Sequence, residues 1–216
     1  IRGLDAAAGG TLVDVRLDGD LAYKDGRLLS DNLRLRSPRI DAKAIIIADF
    51  NRAFYTGAID GRINDYRIDS VGVFNIDTDM DLETAPNGGF ALAGNVRARS
   101  TRLFNSGMRD VTGGNIVASS AVRYGTDGIV RFSNLRMTSP KLRITSGQGS
   151  YAPSGQLALT ARANSTDYGP LDVAVTGTIT NPRATLRAER PGLGIGLTNL
   201  LAQVNGADGG YRLTAT

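Results

Sequence analysis

Three aspartates at alternate positions, Asp77, Asp79 and Asp81, are the residues that most resemble a chemical site. Carboxylates at this spacing begin the loop of an EF-hand calcium site, which also requires glycine at its sixth position and glutamate at its twelfth. Leu82 and Gly88 occupy those two positions here, so the calcium motif fails. Alternating acids are typical of the solvated face of a strand, which is how we interpret them.

Glycines at alternate positions form a second candidate motif. Gly192, Gly194 and Gly196 lack the spacing of a dinucleotide-binding fingerprint, and no βαβ unit follows them. The chain contains no histidine and no cysteine, which excludes the commonest general base, a thiol nucleophile and thiolate metal sites. Because no nucleophile–base pair, metal cluster or phosphate loop is visible, we expect a protein that is not an enzyme and that uses no cofactor or metal.

The composition argues against a nucleic-acid partner and against a filled core. The formal charge is +4, but basic residues such as Arg97, Arg99 and Arg102 stand singly rather than in a run. Solvated strand faces explain them, and contact with anionic lipid headgroups is the alternative. Only 6% of the 216 residues are aromatic, none is tryptophan, and 27 are glycine. Since native interiors need side-chain volume, we expect an inner face that its own side chains do not fill.

A nine-residue phrase occurs twice, 102 residues apart. Residues 32–40 read NLRLRSPRI and residues 134–142 read NLRMTSPKL, with five identical positions. An Asp-Gly turn precedes each copy, at Asp25-Gly26 and at Asp127-Gly128. Self-similarity at a fixed offset predicts an array of stacked units. We place the copies at about residues 12–66 and 114–168, within a single segment, residues 1–216, of a longer protein.

Alternation of apolar and polar residues is the dominant pattern along the chain, and it predicts strands. The longest run in one phase extends from Tyr66 to Leu82, where we expect a strand with a bend or bulge near Gly72. Turn signals at roughly ten-residue spacing predict a meander of roughly fifteen strands. Two segments, 101–111 and 191–201, have apolar residues at helical spacing.

These patterns predict an all-β protein, an elongated, curled antiparallel β-sheet with a hydrophobic interior and at most one or two short helices. Because so little helix cannot cover the sheet, we expect the apolar face to line a groove. Exposed apolar surfaces of that size are rare without a function. The residues predicted to line the groove are Val13, Val15, Leu17, Leu21, Ile76, Met80, Leu82, Phe90, Leu92, Val96, Leu142, Ile144, Leu157, Leu159, Val173, Val175, Ile179 and Leu186.

Tyrosines are expected at strand ends. Rim packing explains them, and contact with lipid headgroups is the alternative. The five tyrosines are Tyr66, Tyr124, Tyr151, Tyr168 and Tyr211.

The phrase from Tyr168 to Leu186, YGPLDVAVTGTITNPRATL, resembles the repeating phrase of TamB-like proteins of the AsmA/TamB superfamily. RPGLGIGL, from Arg190 to Leu197, and GYRL, at 210–213, resemble alphaproteobacterial members. The resemblance extends from about Leu12 to the end of the chain. It implies a taco-shaped sheet in a protein of the Gram-negative periplasm, anchored in the inner membrane outside this segment.

The resemblance also implies a function. It suggests that the groove carries phospholipid acyl chains between the inner and outer membranes, so no catalytic residue carries over. One alternative is a scaffold that assembles outer-membrane proteins, such as autotransporters, with a BamA- or TamA-like barrel through exposed strand edges. Another is a surface β-solenoid, which predicts a self-filled interior and no bound lipid.

Overall fold

The computed structural model describes residues 14–86, 88–178, 181–189, 191, 200–207 and 210–215. The elements are β1 (Arg16–Asp18), β2 (Ala22–Lys24), β3 (Arg27–Arg36), β4 (Ile40–Asp49), β5 (Phe54–Ile68), β6 (Gly72–Thr84), β7 (Phe90–Leu103), α1 (Ser106–Thr112), β8 (Val117–Gly125), β9 (Val130–Thr138), β10 (Leu142–Tyr151), β11 (Gln156–Ser165), β12 (Gly169–Thr178), β13 (Pro182–Ala188), β14 (Leu200–Ala207) and β15 (Gly210–Ala215).

The fifteen strands belong to one sheet, in which β3 to β15 follow one another in chain order. Both β1 and β2 pair with β3. The described registers are antiparallel, as short connections between successive strands require. The predicted fold class, all-β with an antiparallel sheet and at most one or two short helices, is confirmed in the described part of the chain.

The chain divides into two compact units. The first comprises Ile1–Phe104 and Val122–Asp127, and the second comprises Asn105–Ala121 and Gly128–Thr216. The first unit therefore holds β1 to β7, the second holds α1 and β9 to β15, and β8 contributes residues to both.

The repeated phrase forms the same corner in each unit. It lies at the end of β3 and again at the end of β9, and the strands that follow, β4 and β10, begin 102 residues apart. The backbone N–H of Ser37 donates to the carbonyl of Ile40 at 2.7 Å, and Ser139 donates to Leu142 at 3.0 Å. Each serine hydroxyl oxygen also accepts from the N–H of that same partner. Proline, which has no N–H, then fits between the strands without leaving a ladder donor unpaired.

Bulges keep the apolar residues on one face. In β3 the register shifts by one residue between Ser30 and Leu33. The apolar positions therefore change from even numbers before the bulge to odd numbers after it. Asn32 sits in this bulge, where its side-chain amide exchanges hydrogen bonds of 2.7 and 2.9 Å with the backbone N–H and carboxylate of Asp20. Its repeat counterpart Asn134 adopts a left-handed backbone with φ of 53°.

The interruption expected near Gly72 in the run from Tyr66 to Leu82 is present, but it is a turn between two strands and not a bend or bulge within one strand. A tight turn separates β5, which ends at Ile68, from β6, which begins at Gly72. Ser70 has a φ of 63° in this turn. Because Tyr66 pairs directly with Phe74, the hairpin keeps both on one face, and alternation alone cannot distinguish it from an unbroken strand.

The helix is shorter than predicted. Strand β7 continues to Leu103, and α1 begins only at Ser106 because the Asn105 side chain accepts from the N–H of Met108 at 2.9 Å. Gly113, with φ of 71°, ends it. Most of the second predicted helix, 191–201, cannot be compared with the structure, because 192–199 lie outside the described residues. Pro191 is described and lies in neither a helix nor a strand, and Leu200 begins strand β14.

Few large apolar side chains are buried in the part of the chain that the structure describes. Six of the ten buried hydrophobic residues are alanines. The larger four are Ile40, Leu103, Ile116 and Leu171. In the second unit, Leu171 packs with Ala163 and Ala188 beneath partly buried neighbours. The described part of the sheet, with so little buried volume, has no self-filled core of the kind that stabilises a sandwich.

Gly94 provides a test of how closely β6 and β7 approach. A Cβ at this position would overlap the carbonyl oxygen of Asp79 and lie 2.7 Å from the Cα of Met80. We expect Gly94→Ala to reduce the free energy of unfolding by about 3 kcal/mol, measured by urea denaturation.

Gly107→Ala is the control for that substitution. Its new Cβ would meet only the Asn105 side chain, at 3.4 Å, and alanine favours the helix. We expect it to be neutral or slightly stabilising. Equal stability of the two variants would contradict the described register between β6 and β7.

Candidate functional site

Apolar side chains form cross-strand rows on one face of the first unit. Met80 in β6 lies opposite Ile59 in β5 and Gly94 in β7. Ile59 in turn lies opposite Ala44, and Ala44 lies opposite Leu33. Three parallel rows on this face are Ser30–Ile46–Gly57–Leu82–Leu92, Leu17–Leu35–Ala42–Gly61–Thr78–Val96 and Ile40–Ile63–Ile76–Ala98. None of these residues is charged.

The second unit has a face of the same kind. Val175 in β12 lies opposite Leu159 in β11 and Ala184 in β13. Leu159 lies opposite Gly149, which lies opposite Phe132 in β9. Neighbouring rows are Val130–Tyr151–Leu157–Gly177–Pro182, Gly147–Ala161–Val173–Leu186–Ala202 and Met137–Ile144–Ala163–Leu171. These rows are also uncharged.

Most of the predicted groove residues fall on these two faces. Those on the first unit's face are Leu17, Ile76, Met80, Leu82, Phe90, Leu92 and Val96. Those on the second unit's face are Leu142, Ile144, Leu157, Leu159, Val173, Val175 and Leu186. Val15 and Leu21 lie outside the strands, and Val13 and Ile179 lie outside the described residues. Whether any of them contacts lipid stays a prediction.

Most of the large side chains on these faces are only partly covered, and Ile40 and Leu171 are the buried exceptions among the described rows. Met80, Leu82, Leu159 and Val175 all have intermediate exposure, and Leu17, beside the edge, is 58% exposed. The glycines and alanines between the larger residues have short side chains or none, so they leave space above each face unfilled. The arrangement provides apolar surface without a polar anchor, so it suits an extended hydrocarbon chain better than a small ligand that must be fixed in one orientation.

The opposite face of the first unit carries an ion-pair ladder. The carboxylate of Asp77 accepts from Arg62 at 2.7 Å and from Arg99 at 3.1 Å. The hydrogen bond from Arg62 holds the pKa of Asp77 below its ordinary value. Arg34 and Asp41 form a second, bidentate pair at 2.9 and 3.0 Å, which likewise lowers the pKa of Asp41. This face therefore stays charged and hydrated.

The face opposite the apolar rows has an unexpected feature in each unit. In the first unit Leu29 lies opposite Ile47, and they are 49% and 41% exposed. In the second unit the polar face has an open depression of about 570 Å³, whose lining includes Thr160, Thr185 and Arg162. Strict alternation did not predict either feature, because alternation reports the side of a residue and not the curvature of the sheet.

Sequence reasoning also missed a row of aromatic rings at one end of the first unit's strands. The row consists of Tyr23, Phe50, Tyr55 and Phe90, with neighbouring centroids 6.1–6.5 Å apart. The available signal was the recurrence of an aromatic residue beside successive turns. The five tyrosines that we singled out from the sequence do not include Tyr23 or Tyr55.

Other kinds of site are not found among the described residues. No cluster of acidic side chains there is suited to a metal ion, and Asp77, Asp79 and Asp81 lie within strand β6 rather than in a loop. No helix in the described part of the chain is long and apolar enough to cross a bilayer.

Comparisons with protein-family models, curated proteins and solved structures find no match for this chain. The candidate site therefore rests on the two uncharged faces and on the residue pattern that forms them.

The ion-pair ladder predicts a dependence of stability on pH. A carboxyl whose pKa is lower in the folded state stabilises the fold above its unfolded pKa, and that stability is lost as the pH falls through the folded pKa. The ordinary pKa of Asp77 is 3.8, so we expect Asp77→Asn to lower the melting temperature at pH 7, and we expect the difference from wild type to shrink as the pH falls below that value.

Thermal melts of both proteins from neutral to acid pH measure this difference. Asp69→Asn is a suitable control, because Asp69 pairs with Arg67 in an exposed turn where ion pairs contribute little. A difference between wild type and Asp77→Asn that stays constant down to pH 3 would contradict the ionic role of Asp77.

Proposed function

We propose that this chain is a segment of a bridge-like protein that carries phospholipids between the inner and outer membranes along an apolar groove. In this proposal the acyl chains lie against the uncharged faces of the two units. The segment belongs to a protein that crosses the periplasm of a Gram-negative bacterium and is anchored in the inner membrane outside this segment.

One observation carries the proposal: uncharged cross-strand rows in which most of the large side chains, such as Met80, Leu159 and Val175, are only partly covered. A surface of this kind is unfavourable in water unless something apolar covers it. A filled solenoid would bury these side chains, yet among the described residues alanine dominates the buried hydrophobic set. The self-filled alternative is therefore less consistent with the structure than a groove that accepts an apolar occupant.

Energetics explain why a conduit takes this form. Each buried methylene contributes about 0.8 kcal/mol, so moving one acyl chain into water costs on the order of 10 kcal/mol. A repeated apolar face lowers that cost at every position. Because the rows lack charges or strong polar groups, no single position holds the lipid tightly, and movement from row to row is not impeded.

The paired residues Leu159 and Val175 allow a direct test. An aspartate at either position would place a carboxylate in the middle of an apolar row of the second unit. We expect the wild-type chain, purified without detergent, to carry phospholipid detectable by native mass spectrometry after lipid extraction. The Leu159→Asp and Val175→Asp variants should lose at least about nine-tenths of that lipid, because charge is strongly disfavoured beside hydrocarbon.

Matched controls are available on the same two strands. Thr160 and Thr176 are exposed and point to the opposite face, one residue further along. Thr160→Asp and Thr176→Asp should retain wild-type lipid. Equal loss in all four variants would indicate a general folding defect, which circular dichroism would reveal.

A folded wild-type chain without lipid would instead favour the scaffold alternative. That alternative requires a BamA- or TamA-like barrel to pair with an exposed strand edge, so it predicts binding that charged groove variants leave intact.

A further inference from the structure

The aromatic row of the first unit forms a continuous rim. Tyr23 is the middle residue of the short β2, Phe50 follows β4, Tyr55 is the second residue of β5 and Phe90 begins β7, so all four lie at the same end of the strands. The ring centroids are separated by 6.5, 6.1 and 6.2 Å along the row. We call these four residues together with Phe54 the aromatic rim.

Hydrogen bonds between neighbouring turns hold this rim in place. The N–H of Phe50 donates to the carbonyl of Gly26 at 2.9 Å, and the Asn51 side chain donates to the carbonyl of Asp25 at 2.9 Å. The N–H of Tyr55 donates to the hydroxyl oxygen of Thr84 at 2.7 Å. The backbone segments that carry the rings are therefore held in place before any partner arrives, which reduces the entropy lost on binding.

The rim is exposed around the edge of the sheet. Tyr23 is 68% exposed, Phe50 52% and Phe54 49%. Tyr55 lies on the apolar face, and Phe54, its neighbour in the strand, points to the other side. Rings on both sides of a turn give the edge the shape of an aromatic wedge rather than a continuation of the groove.

Cationic groups surround the wedge and point outward. The side chain of Asp49 is only 11% exposed, whereas its partners Arg27 and Arg52 are 64% and 76% exposed. Burial alone would raise the pKa of Asp49, but hydrogen bonds from the Arg52 N–H and the Arg27 side chain lower it overall. The Asp49 carboxylate is thus largely covered, whereas the Arg27 and Arg52 side chains are exposed to solvent. Lys24, at the end of β2, is a third exposed cation.

The other end of the first unit's strands is different in character. Its turns present Pro38, Arg39 and Asp69, all exposed. Phe104, the aromatic residue after β7, is partly buried with the Arg102 guanidinium 5.7 Å from its ring centroid and that of Arg67 at 4.7 Å.

We propose that the aromatic rim docks on the surface of an anionic phospholipid bilayer. Aromatic rings favour the headgroup region, where their apolar bodies leave water, and outward guanidinium groups meet the phosphates. Docking differs from carrying lipid in the groove, because it depends on the exposed groups of the turns, such as Phe50, Phe54 and Arg52, and not on the apolar rows in the middle of the strands. It therefore goes beyond the proposed conduit function.

Vesicle flotation tests this docking. The 216-residue chain should float with vesicles of phosphatidylcholine mixed with phosphatidylglycerol, and much less with phosphatidylcholine alone. Replacing Phe50 and Phe54 with serine should weaken binding to the mixed vesicles by at least about tenfold, given the apolar area of two rings. Arg52→Gln should weaken it by about fivefold, as expected for one cation near an anionic surface.

Matched variants separate docking from other effects. Tyr168→Ser removes an exposed aromatic ring from a turn of the second unit, and Arg67→Gln removes a cation from the other strand end whose side chain is 64% exposed, against 76% for Arg52. Both should bind like the wild type. The single variant Phe54→Ser tests whether weaker binding reflects a folding defect, because Phe54 lies outside the stacked row of rings. It should weaken vesicle binding measurably and leave the thermal melt unchanged.

Three outcomes would overturn the proposal. They are no flotation of the wild-type chain, equal weakening by the control variants, and loss of flotation in Leu159→Asp and Val175→Asp. The last would assign vesicle binding to the groove. Conversely, lipid-free wild-type protein that still floats would refute the conduit and leave the docking intact.

Discussion

The structure depends on the antiparallel hydrogen-bonded register, which carries the two-residue period of one strand into the next. Once Met80 is paired with Ile59 and Gly94, the faces of three strands are set together. A slip of one residue would bring charges such as Asp79 and Asp81 onto the apolar face. The same constraint operates in the second unit, where Val175 pairs with Leu159 and Ala184. Uncharged faces in both units follow from this ladder rather than from a packed core.

Bulges and corners preserve the register at positions where the alternation of apolar and polar residues is interrupted. The bulge at Asn32 changes the numbering parity of the apolar residues without changing their face. The Ser-Pro corners repeat the same backbone hydrogen bonds after 102 residues, so each copy restarts its ladder in phase. Stability that a sandwich obtains from burial must here come largely from backbone pairing between strands, with a small contribution from exposed ion pairs such as Arg62 with Asp77. That division leaves the apolar face free for an occupant.

The two proposed activities use different parts of the strands. The middle of each strand supplies the uncharged rows, and the conduit proposal assigns acyl chains to them. The turns at one end of the first unit supply fixed rings and outward cations, which suit the interface between water and headgroups. Phe50 and Arg52 lie in one turn, and Asp49 recessed beneath them orients the guanidinium group without exposing a negative charge.

The sequence by itself determined the strand content, the absence of histidine and cysteine chemistry, and the alternation that placed residues such as Leu159 and Val175 together. The two-residue alternation is a local property of the sequence, so it can be recognised wherever the strand pairing is regular. Only the tertiary structure decided where that period is interrupted or folded back: the hairpin at Ser70, the bulge at Asn32, and the late start of α1 after Asn105. It alone also assembled the aromatic rim, because turns distant in sequence meet only when the strands between them pair.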